Sequence, residues 1–164
     1  MTIFLIILLI VVLLFGLTAL TGAPYVPTRK NWARAALDLA RPGADDLVVD
    51  LGSGDGVILK LAALGDARAI GYEINPLLVL LSKIRLRKIP LANAKLKNFW
   101  RANLPPQTTI VYIFTCGRDV RRLVKYLRRQ RARLDHPLKI VSFGFALPSL
   151  KMTRKNSGAR LYEI

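Results

Sequence analysis

The chain has 164 residues, a length that fits one domain, and it carries 26 Lys and Arg against 10 Asp and Glu, a net charge of +16. A single cysteine excludes an internal disulfide and agrees with a reducing compartment. All of the charge falls after residue 28, so the start of the chain and the rest answer to different solvents.

Ile3 to Leu20 is an almost unbroken apolar run, IFLIILLIVVLLFGLTAL. At 1.5 Å rise per residue it gives about 27 Å of helix, close to the thickness of a bilayer core. The run predicts one transmembrane helix and an anchor over residues 1–22. A cleaved secretory signal is the alternative, but such a signal usually opens with basic residues and none precedes this run. Arg29, Lys30 and Arg34 follow closely. The positive-inside rule then puts the charged part in the cytoplasm and the N-terminus outside.

Residues 23–46 read as a linker and an N-terminal helix. In PYVPT (24–28) each proline fixes φ and biases its predecessor away from helix. Thr28 is a candidate cap for a helix from about Arg29 to Leu39, which Arg41-Pro42-Gly43 ends. Residues 47–164 then alternate strand and helix. Leu47–Leu51 is a buried strand, Val57–Leu64 a helix closed by Gly65, and Arg68–Ile74 a second strand. Asn75-Pro76 is a cap followed by proline at the first helical position, opening a helix to about Lys88. Ala94–Phe99 is a third strand, Thr109–Phe114 a fourth, Arg118–Leu134 a basic helix and Lys139–Phe145 a fifth strand. The tail reads as a hairpin turning at Asn156-Ser157-Gly158. Alternating strands and helices predict an α/β fold, a mostly parallel sheet with an antiparallel C-terminal hairpin at one edge.

In such a fold a ligand lies over the carboxyl ends of the strands, where strand order reverses. The loop after the first strand, in VVDLGSGDGVI, is the natural place. A dinucleotide loop wants G-x-G-x-x-G. Gly52 and Gly54 fit, but Val57 holds the third slot and the third glycine is Gly56. Asp50 closes the strand before the loop and Asp55 sits inside it; both would repel a pyrophosphate. They suit a ligand with a cationic part, and S-adenosylmethionine has an ammonium, a sulfonium and no phosphate. Glu73, at the end of the second strand, is placed to accept from ribose hydroxyls.

DLGSGDG resembles motif I of the class I S-adenosylmethionine-dependent methyltransferases, and GYEINP resembles the acidic motif after their second strand. An apolar anchor, then PYVPT, DLGSGDG and GYEINP, is similar to the small membrane-anchored protein-lysine methyltransferases that modify the c subunit of ATP synthase and the adenine nucleotide translocase. The resemblance spans roughly Pro24 to Trp100. It implies a Rossmann-like methyltransferase sheet, and a cofactor site of Asp50, Gly52, Ser53, Gly54, Asp55, Gly56, Glu73, Asn98 and Phe99. Tyr25 and Thr28 would cap the cofactor or substrate. Where that family has an acid before Leu-Trp, this chain has Asn98-Phe99-Trp100; the Asn98 carbonyl suits an adenine amino group.

Methyl transfer is an in-line displacement at a sulfonium carbon, in which positioning does most of the work and no metal is needed. A lysine nucleophile must first lose its proton, and a basic, desolvated site lowers its pKa. No catalytic base stands out. The fourth strand runs into FTCG, where adenine and glutamine methyltransferases usually carry (D/N)PPY. The expected function is methylation of a lysine on a membrane or membrane-associated protein, beside an anionic membrane surface. The alternatives are an RNA methyltransferase, a lipid or small-molecule methyltransferase, and a non-catalytic scaffold on a cofactor fold.

Overall fold

The computed structural model describes residues 1–6, 8, 9, 12, 16, 29–114 and 119–164. Most of the expected anchor, with the PYVPT linker, Tyr25 and Thr28, lies outside the described residues. Residues 2–6, 8, 9, 12 and 16 are helical and exposed. Among the described residues no helix is long and apolar enough to cross a membrane.

The elements are α1 (Lys30–Ala40), β1 (Leu47–Leu51), α2 (Val57–Leu64), β2 (Arg68–Glu73), α3 (Pro76–Leu86), β3 (Ala92–Leu96), a 3-10 turn (Phe99–Arg101), β4 (Ile110–Phe114), α4 (Val120–Arg131), β5 (Lys139–Phe143), β6 (Met152–Asn156) and β7 (Ala159–Glu163). They form a seven-stranded sheet in the order β3-β2-β1-β4-β5-β7-β6. Strands β1 to β5 pair in parallel, while β7 runs antiparallel to β5 and to β6. The expected α/β sheet with its antiparallel hairpin is therefore present. Asn156 pairs with Ala159 across Ser157 and Gly158, both at positive φ, the twist that a two-residue hairpin turn needs.

Helices α1, α2 and α3 cover one face. Small side chains bring the first two close: Ala33, Ala36 and Ala62 pack toward Val48, Ala69, Ile110 and Val141. On the other face α4 sets Leu123, Val124 and Leu127 against Val49, Val111, Ile113 and Ile140. Strand β1 lies between these layers and is buried along its whole length, which explains its unbroken apolar run apart from Asp50. α1 packs on α2 and on β5, β6 and β7, so it shares the core of the sheet that follows it.

Most element boundaries differ from the sequence reading by one to three residues, and two strand ends have a local cause. The third strand is Ala92–Leu96 rather than Ala94–Phe99, because the Asn98 side chain accepts the Trp100 N–H at 3.0 Å and starts the 3-10 turn. The fifth strand stops at Phe143 because Gly144 turns at φ 91°.

Candidate functional site

Strand order reverses between β1 and β4, and the glycine loop leaves β1 at that point. Gly52, Gly54 and Gly56 have φ of 90°, 53° and 79°, a region that costs any other L-residue strain. With those torsions the Gly52 and Ser53 N–H groups turn back to the Tyr72 carbonyl at 2.8 and 3.1 Å. The Gly56 N–H reaches the Ser53 carbonyl at 2.9 Å, and Gly56 is the N-cap of α2. A side chain on Gly56 would also collide with Ser82 of α3, and one on Gly71 with Ser53 and Leu59. These two glycines let the loop lie flat against β2 and α3.

Glu73 binds the loop to its neighbour. One carboxylate oxygen accepts the Gly54 N–H at 2.9 Å, and the other accepts Ile74 and Asn75 N–H at 2.8 and 2.9 Å. A carboxylate offers about four acceptor positions, so about one remains for a hydroxyl of a ligand. Asn75 in turn caps α3, its Oδ1 accepting Leu77 and Leu78 N–H at 3.0 and 3.4 Å.

Asp50 is buried on the α1–α2 face beside Tyr112, its register partner on β4. Burial, then the Glu73 and Asp55 carboxylates, hold the Asp50 carboxyl well above the usual range. Burial, then the nearby Asp50, also raises the Tyr112 hydroxyl. The hydroxyls of Tyr112 and Ser53 are buried with no hydrogen-bond partner. Unpaired polar groups in a core cost free energy unless a ligand completes them. A carboxyl held above its usual range beside unpaired hydroxyls fits the cationic, hydrogen-bonding end of an amino-acid-like ligand.

Asp55 does not face this pocket alone: Arg85 of α3 pairs with it at 2.8 Å. That pair neutralises part of the negative charge that the sequence assigned to the methionine end. It was not legible in the sequence, because Arg85 lies well beyond the loop and carries no motif. Gly71 did leave a signal, since a glycine inside a strand marks close approach.

The structure thus brings Asp50, Gly52, Ser53, Gly54, Asp55, Gly56 and Glu73 to one edge. Asn98 and Phe99 follow β3 at the same edge, where the Lys97 N–H bonds the Glu73 carbonyl at 2.8 Å. The Asn98 carbonyl expected at an adenine is engaged in its own turn, although an amide oxygen has a second lone pair. Phe99 is packed against Trp100 and Tyr126, with ring centroids at 4.5 and 6.0 Å. Thr115 and Cys116, after β4, lie outside the described residues. His136 sits near the start of β5, its ring nitrogens beside the Pro106 and Pro137 carbonyls, away from this edge.

The sheet order and the glycine loop closed by an acid on β2 are those of the class I S-adenosylmethionine-dependent methyltransferases. The homologues of the chain are protein-lysine N-methyltransferases. No family model matches the chain. It is 29% identical over 129 residues to a lysine N-methyltransferase of Xenopus laevis named for the C subunit of ATP synthase, covering 77% of this chain and 55% of that one. It is 46% identical over 54 residues to a protein-lysine N-methyltransferase of Saccharolobus islandicus (strain REY15A), covering 32% of this chain and 34% of the relative. The chain therefore spans about half the length of the Xenopus relative. Among solved structures, an RNA methyltransferase from Salinibacter ruber in complex with S-adenosyl-L-homocysteine superposes with a TM-score of 0.73. That neighbour is 27% identical, and the match covers 84% of this chain and 92% of the other.

Proposed function

We propose that the chain binds S-adenosylmethionine and transfers its methyl group to a protein lysine. The observation that carries this reading is the edge at which the Gly52–Gly56 loop, buried Asp50 and Glu73 converge. The lysine-methyltransferase relatives support the substrate class. S-adenosylmethionine supplies an electrophilic methyl on a sulfonium.

The residues of the chain do the positioning. Glu73 offers its remaining acceptor position to a ribose hydroxyl. Asp50, with Ser53 and Tyr112 beside it, receives the ammonium of the methionine end. The loop glycines carry no side chain to stand in the way of that end. The net charge of +16 on the chain disfavours the protonated form of an incoming lysine, and the neutral amine keeps the lone pair for the displacement. Among the described residues none is assigned as a base.

The finer reading places the chain on a membrane through residues 1–22, with the site on the cytoplasmic side and the substrate on a membrane or membrane-associated protein. The apolar run Ile3–Leu20 supports the anchor, and Arg29, Lys30 and Arg34 support the orientation.

A second reading is RNA methylation. It is favoured by a cleft of about 300 Å³ lined by Trp100, Arg122, Lys125, Tyr126 and Arg129, which would suit phosphates and a stacked base. The Arg122 guanidinium lies 4.2 Å from the Trp100 ring centre.

Full-length protein, methyl-labelled S-adenosylmethionine and a membrane extract decide between them. The expected result is a labelled protein band that disappears when lysines are blocked and with Glu73→Ala. Label in RNA and none in protein would replace the first reading with the second.

A further inference from the structure

Helix α3, PLLVLLSKIRL, is apolar on both sides. Leu78, Val79, Ser82 and Leu86 are buried toward β2, β3 and α2. On the opposite side Leu80, Leu81 and Ile84 are exposed at 55, 51 and 52%. A helix apolar all round is normally covered on all sides, by protein or by lipid. Here α3 ends the helical layer, so protein covers only one side of it. Lys83, Arg87 and Lys88 are exposed around this outer face. No acidic residue occurs anywhere between Glu73 and Asp119.

We propose that the Leu80–Leu81–Ile84 face of α3 is a second membrane-contact surface, seated in the interface of a bilayer that contains anionic phospholipid. Aliphatic side chains enter the acyl boundary and the basic residues meet the headgroups, the division of labour of an interfacial helix. The charge pattern selects this occupant. A second copy using the same face in a two-fold contact would press Lys83, Arg87 and Lys88 against their own equivalents. Nucleic acid would use the cations and leave the leucines in water.

The position of the helix adds a consequence. α3 starts three residues after Glu73, and its Arg85 pairs with Asp55 of the glycine loop. Trp32, near the start of α1, stacks on Phe143 at the end of β5, with ring centroids 5.6 Å apart. α1 therefore begins at the carboxyl edge of the sheet, the edge from which α3 departs. Anchor and stripe together hold the candidate site beside the bilayer surface.

The test uses full-length protein with Cys116→Ser and a polarity-sensitive fluorophore on Ile84→Cys, in vesicles whose acyl chains carry bromine quenchers. Neutral phosphatidylcholine is compared with a mixture containing phosphatidylglycerol. A twin labelled at Arg128→Cys, on α4, reports the other face. The expected result is a blue shift and strong quenching at position 84, larger with phosphatidylglycerol and weakened by salt, with position 128 unquenched. Adding Leu80→Gln and Leu81→Gln should reduce the quenching severalfold. Quenching at 128 instead of 84 would overturn the proposal in favour of the α4 face. A blue shift at 84 without quenching would also overturn it, because protein, either the N-terminal run or a second copy, would then cover the face. Neither readout involves methyl transfer, so failure here leaves the proposed activity standing.

Discussion

Asp50 shows how a single residue separates folding from function. Its carboxyl is buried, and burial together with the Glu73 and Asp55 carboxylates raises its pKa. A raised folded-state value means that ionised Asp50 opposes folding. The cost is absent below the ordinary carboxylate range, grows as pH rises toward the raised value and is full above it. A cation bound beside it reverses the balance and releases the proton. Asp50→Asn is expected to raise the melting temperature of the cofactor-free protein at neutral pH while weakening S-adenosylmethionine binding at least tenfold, about 1.4 kcal/mol. The wild-type affinity should increase with pH on the acid side, and that dependence should vanish in the variant. Calorimetric titration across pH reads both effects; an unchanged dissociation constant in Asp50→Asn would place the cation elsewhere. Glu73 differs in its contacts, since its carboxylate oxygens accept three backbone N–H groups.

At the scale of elements, the segment after β3 is where local chemistry overrode pattern. Asn98 offers a cap within two residues of the strand end, so the chain turns at Phe99 instead of extending. The aromatic pair that follows is then held by α4, where Tyr126 Oη donates to the Ala102 carbonyl at 3.2 Å. Gln130 of α4 fixes the next stretch, its buried side-chain oxygen accepting the Leu104 N–H at 2.9 Å. Gln130→Ala would leave that N–H buried and unpaired, at a cost of about 1–3 kcal/mol. Urea denaturation should show this as a lower midpoint with an unchanged slope. A midpoint within error of wild type would mean that water replaces the side chain. The sequence shows α4 as a basic stripe with an apolar stripe, but carries no sign that Gln130 belongs to the buried side.

For the molecule as a whole, charge and layering work against each other. The net charge of +16 is carried by residues after 28 and is what remains once all ten acids are counted, Asp55 in its pair with Arg85 among them. Self-repulsion of this size lowers the stability of the compact state, and salt screens it over a Debye length of about 10 Å at 0.1 M. The melting temperature of the vesicle-free, detergent-solubilised protein is therefore expected to rise as NaCl goes from about 0.01 M to 0.15 M, where that length shrinks from about 30 to 8 Å. A falling melting temperature over that range would show that attractive pairs, rather than repulsion, dominate. The basic edge strand β6, MTRKN, is exposed along its length, and its charges discourage pairing with another sheet edge.

The linear chain by itself determined the alternation of strands and helices, the glycine loop and the acid that ends β2, because each rests on neighbours in sequence. Strand periodicity, cap-plus-proline at Asn75-Pro76 and glycine spacing are local codes, and a turn two residues long has little freedom. Tertiary structure alone decided that Arg85 neutralises Asp55, that Tyr112 stands beside Asp50, and that the leucines of α3 face outward. Those facts depend on which strands lie side by side and which helix ends the layer. Such adjacency is set by packing over long sequence separation, and no short window of residues encodes it.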